Sequence, residues 1–181
     1  MIVTFEHTYR SELLFLPARN GGGKLVGLEI MANFVCASDG DIRTPTELIL
    51  PRLSDEQALT LFREKLALLE SCQLFFIQQQ QIAWINITPA ITAAILSDNE
   101  LAATVERFPF IELAVNENYP ALNSGGDNES LARLAKRYPV VLANFGAGHA
   151  STKAIFNSLF YRFAMDKNFI HQRLTENSFE P

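Results

Sequence analysis

Apolar residues alternate along the chain between short continuous runs and helically spaced stripes. In "LLFLPARNGGGKLVGLEIMANF" two strand-like runs, Leu13 to Pro17 and Leu25 to Ala32, flank Gly21, Gly22 and Gly23, which take positive φ at little cost. This pattern predicts a hairpin. In "SDEQALTLFREKLALLESC", Ala58, Leu61, Phe62, Leu66 and Leu69 form one stripe, and Ser54 followed by Gln57 has the capping-box spacing. An amphipathic helix therefore starts after Ser54. Further along, strand-like runs alternate with helical segments. The order is "IAWINI" from Ile82, a helix after Ser97 opened by a Ser-x-x-Glu box, "FIELAV" from Phe110, the helix "SLARLAKRY", "VVLANF" from Val140, the helix "STKAIFNSLF" and "RFAMDK". Continuous apolar runs in repeated strand-helix units predict a parallel sheet with crossover helices. An open doubly wound sheet and a (β/α)8 barrel both satisfy that pattern. No linker rich in Pro, Gly and Ser divides the chain, so residues 1–181 read as one domain.

The 181 residues, 48% hydrophobic and 19% charged, have the make-up of a globular protein with a substantial core. A net charge of −5 opposes direct binding of nucleic acid, which needs a basic face. The N-terminus lacks a basic-then-apolar leader pattern, and no run reaches the ~18 uninterrupted apolar residues of a membrane span, which predicts a cytoplasmic protein. Cys36 and Cys72 lack metal or redox spacing and read as reduced core thiols. His7, His149 and His171 are too scattered to predict a zinc site. "VVLANFGAGHAS" offers Gly146 and Gly148 for a dinucleotide fingerprint, but Ser151 holds the third glycine's place and Asp166 is only loosely placed as the acid. Turn glycines are the simpler reading.

Six blocks, in order along nearly the whole chain, resemble the EAL-domain family of barrel-fold phosphodiesterases that open cyclic di-GMP. "VGLEIMANF" is similar to Gly-x-Glu-Ala-Leu-x-Arg-Trp through Gly27 and Glu29, with Met31, Asn33 and Phe34 at the places of the leucine, arginine and tryptophan. "TPTELILPRL" is similar to Pro-x-x-Phe-Ile-Pro-Leu-Ala-Glu through Pro45 and Ile49, with Leu53 in place of the acid. "WINIT" places Asn86 at the asparagine of Val-Asn-Leu-Ser. "LAVNEN" stands for Glu-Ile-Thr-Glu, "LANFGAGHAS" for Asp-Asp-Phe-Gly-Thr-Gly-Tyr-Ser, and "FAMDKNFI" for Lys-Ile-Asp-x-x-Phe. The resemblance implies an EAL-type α/β fold, a TIM-like (β/α)8 barrel. It ends after about six strands, which implies that the later part of the barrel is missing from 1–181.

Phosphodiester hydrolysis on two divalent ions needs hard oxygen ligands converging on the metal pair. The resemblance puts metal carboxylates at Glu29, Ala114, Ala143 and Asn144, an amide ligand at Asn86 and the catalytic lysine at Ala164. Among these only Glu29 and Asn86 keep the family's residue. Alanine has no donor atom, and the neutral amide of Asn144 cannot balance metal charge. Asn33 stands where an arginine would fork a phosphate. These replacements predict no metal cofactor and no phosphodiesterase activity. Glu117 keeps the place of the family's loop-positioning glutamate and reads as a structural hydrogen-bond acceptor, as does Glu29.

"LVGLEI", "PTEL", "FFIQ", "FIELAVNENYP", "LANFGAG" and "DKNFI" resemble the family's degenerate branch of flagellar antagonists. That branch implies a non-catalytic regulator whose partner is the FlhD subunit of the flagellar master regulator FlhDC. A cyclic di-GMP receptor that binds without cleaving, motivated by Glu29 and Glu117, and a weak phosphodiesterase are the alternatives. Phe5, Tyr9, Phe160, Tyr161 and Phe163 could anchor a partner, although aromatic residues at such spacings usually belong to the core.

Overall fold

A computed structural model describes residues 1–37, 42–122, 129–145 and 159–165. Gly146, Gly148, the helix expected from Ser151 and Asp166 lie outside the described residues. The chain forms two compact units, Met1–Ile85 with Ser97–Ile111, and Asn86–Leu96 with Glu112–Pro181.

In the first unit, β1 (Ile2–Thr4), β2 (Thr8–Arg19) and β3 (Leu25–Cys36) pair antiparallel in sequence order. The expected hairpin is present and each of its arms reaches 12 residues. Its turn closes through the Gly23 N–H on the Asn20 carbonyl (2.9 Å), and Gly23 takes the anticipated positive φ of 79°. β4 (Ile42–Thr44) adds to the far end of β3 and is followed by the short helix α1 (Thr46–Ile49).

The predicted amphipathic helix is α2 (Asp55–Gln79). Its capping box forms as expected: Ser54 Oγ accepts the Gln57 N–H at 3.2 Å, and Gln57 Oε1 accepts the Ser54 N–H at 2.9 Å. The helix buries Leu61, Phe62, Leu66, Leu69 and Phe76, each worth roughly 1.5–3 kcal/mol of transfer free energy. Leu61 packs in a core cluster with Ala32, Phe34 and Ile49, and Phe76 stacks on Phe110 at 5.0 Å between centroids. The chain leaves α2 through Gln80 at φ 51° and enters β5 (Ile82–Asn86), which runs parallel to β3.

The segment around Ser97 departs from expectation. Two helices stand there, α3 (Pro89–Ser97) and α4 (Asn99–Glu106), and the cap of α4 is Asp98 in place of Ser97. Asp98 Oδ1 accepts the N–H groups of Glu100 (2.9 Å) and Leu101 (3.1 Å), which satisfies two donors that no residue inside the helix can reach. The Leu101 bond leads the causes holding this carboxyl below its usual range, with Arg63 assisting.

In the second unit, β6 (Ile111–Asn116), β7 (Val140–Phe145) and β8 (Arg162–Met165) are parallel neighbours in that order, with α5 (Glu129–Ala135) between β6 and β7. β6 is buried on both faces from Ile111 to Val115, the reason its sequence is a continuous apolar run. The parallel strands β3 and β5, with α2 between them, and β6 and β7, with α5 between them, agree with the strand-helix alternation read from the sequence. Among the described residues, no helix is long and apolar enough to cross a membrane.

Candidate functional site

Register decides which side chains share a face, because residues two apart on a strand, and their in-register neighbours, point the same way. In the first unit Gly27 pairs with Ile82 and Glu29 with Trp84. Gly27, Glu29, Met31 and Asn33 therefore lie on one face of β3 together with Trp84. Ile30, Ala32 and Phe34 occupy the opposite face. Gly27 is required by close approach, since a Cβ there would meet the Ile82 carbonyl oxygen and lie 2.9 Å from Trp84 Cζ3. Asn33 is half-buried.

Glu29 is also half-buried, and burial pushes its carboxyl above the usual range while the Lys65 charge partly restores it. Lys65 on α2 is only 7% exposed. Burial drives its amine down to about 8, with the Glu29 carboxylate opposing that fall. No ion pair within contact distance joins the two among the described residues, so they act on each other through the low-dielectric interior.

In the second unit Ala114 pairs with Val141, Asn116 with Ala143, and Val141 with Arg162. Ala114, Ala143 and Ala164 therefore fall on a single face of β6, β7 and β8, together with Glu112 and Arg162. Three of the positions singled out in the sequence are brought together there, and each contributes only a methyl group. Asn144 stands where β7 shifts register, at φ 56°, a conformation that asparagine tolerates better than most residues. That backbone demand is a structural reason for an amide at this place. Asn86 ends β5 with its Oδ1 buried and without a hydrogen-bond partner among the described residues, while the next residue, Ile87, donates its N–H to the Ala114 carbonyl at 2.8 Å. Glu117 is buried just past β6. The turn after it is set by Asn116, whose Oδ1 accepts the Asn118 N–H at 3.1 Å, and by a buried 2.8 Å hydrogen bond between Thr92 and Tyr119.

Below the three alanines lies an ion pair that the sequence reading did not anticipate. Arg162 Nε donates to both carboxylate oxygens of Glu112, at 2.9 and 3.2 Å, with the Glu112 side chain 6% exposed. It ties β6 to β8 across the intervening β7. The signal was available, since Glu112 and Arg162 each stand two residues before a singled-out alanine and strand alternation puts them on its face. Lys65, also missed, sits inside the apolar stripe of α2, between Leu61 and Leu69. Among the described residues no three His, Cys, Asp or Glu side chains converge as metal ligands.

These features define an EAL-like domain. A solved structure of the EAL-like domain protein YdiV superposes with a TM-score of 0.85 at 46% identity, over 96% of this chain and 73% of that one. A phosphodiesterase, PaMucR in complex with c-di-GMP, superposes at 0.61 and 17% identity, covering 93% of this chain and 71% of the other, a likeness of fold alone. No family model matches the chain. The anti-FlhC(2)FlhD(4) factor YdiV of Salmonella arizonae is 59% identical over 181 residues, all of this chain and 76% of that protein. The putative anti-FlhC(2)FlhD(4) factor YdiV of Escherichia coli is 45% identical over the same extent. The chain belongs to the YdiV family of EAL-like proteins.

Proposed function

We propose that this protein is a non-catalytic regulator that binds FlhDC through its FlhD subunit, in the cytoplasm, and represses flagellar gene expression and motility. The observation that carries this reading is the 59% identity, without a break in coverage of the chain, to proteins named for opposing FlhC(2)FlhD(4). Repression of this kind needs no chemistry, because occupying an activator's surface withdraws it from its promoters by mass action. The side chains at the family's metal and lysine positions support the same view. Ala114, Ala143 and Ala164 have no atom with which to bind a cation or move a proton. Losing even a supporting partner of a ligand costs about 10- to 100-fold in metal affinity, so alanine at 114 and 143 and a neutral amide at Asn144 in place of three carboxylates leave no working metal pair.

The test is capture of purified FlhD by this chain, followed by release of FlhDC from promoter DNA. Absence of capture overturns the proposal. Calorimetry with cyclic di-GMP, run on the same preparation, is expected to show no heat at high micromolar ligand, since Asn33 brings no charge to a phosphate. Turnover in Mn²⁺ that disappears in Glu29→Ala would refute the non-catalytic part alone.

A further inference from the structure

We draw no further inference here: the strongest candidate, the apolar groove between the C-terminal turns of α2 and strands β2 and β3, lined by Phe15, Leu28, Cys72, Leu74 and Phe75, is a face of the first unit for which nothing in the structure shows what covers it.

Discussion

Replacing Lys65 by methionine isolates what a single buried charge does to this fold. Lys65 is nearly inaccessible inside the stripe of α2, and its amine titrates at about 8 where 10.5 is ordinary. Between about pH 8 and pH 10.5 the unfolded chain keeps a proton that the folded chain has released. Stability therefore rises with pH across that window, and the gain is lost as the pH falls through 8. At 1.36 kcal/mol per pH unit, holding the charged amine at pH 7 costs about 3 kcal/mol relative to a neutral group. Methionine fills a similar unbranched volume without charge, but it also removes the attraction that Glu29 feels. A net gain of about 2 kcal/mol is expected, in line with other replacements of buried ionic groups by apolar ones. For a chain of this size that raises Tm by roughly 4–8 °C at pH 7. The assay is thermal melting of parent and Lys65→Met between pH 7 and 10.5, where the variant's advantage should be largest at pH 7 and shrink as the pH climbs. A variant that melts below the parent at pH 7, or a gap that stays constant across the range, refutes the reasoning.

Gly27→Ala forces a methyl into the β5 backbone and against Trp84, and should cost about 3 kcal/mol, read as a lower urea midpoint with an unchanged m value. Glu29→Gln should stabilise at neutral pH: burial raises the folded carboxyl, so the parent's stability is fully present below the unfolded value and is lost as pH rises through the folded one. Its advantage should vanish in melts at pH 4 and below. Ser54→Ala removes the hydroxyl of the α2 capping box and should cost about 1 kcal/mol in denaturant titration, with Ser54→Asp recovering most of it. Mn²⁺ and EDTA should leave Tm of the parent unchanged, and a metal-dependent rise in Tm would show that the second unit binds cations despite its alanines.

Much of this architecture was legible in the residues because it depends on local chemistry. The Ser54 box, the stripe through Leu61 and Leu69, the glycine turn at Gly23 and the continuous apolar run of β6 each follow from a rule acting within a few positions. That Ala114, Ala143 and Ala164 offer nothing to a cation was equally plain, because a methyl group has no donor atom in any fold. Where two local signals compete, sequence alone misplaces the boundary: Ser97 and Asp98 are both good caps, and the position of α3 settled the choice for Asp98 by leaving its side chain beside the free N–H groups of α4. Aromatic residues sorted the same way. Tyr9 joined the core, whereas Tyr161 and Phe163 are exposed, a difference that their spacing along the chain does not carry.

Tertiary structure alone decided which distant residues face one another. Strand alternation puts Glu112 and Arg162 on the face of the alanines, but only the register of β6, β7 and β8 brings these residues, fifty positions apart, into a two-point ion pair. Lys65 appears in sequence as an ordinary lysine in a helix, and only the burial of that helix face displaces its titration. Composition and local periodicity set the elements and the chemistry that each residue can offer. Packing set the electrostatic environment, because the energy of a charge depends on which groups and how much water surround it, and those are fixed by the folded chain as a whole.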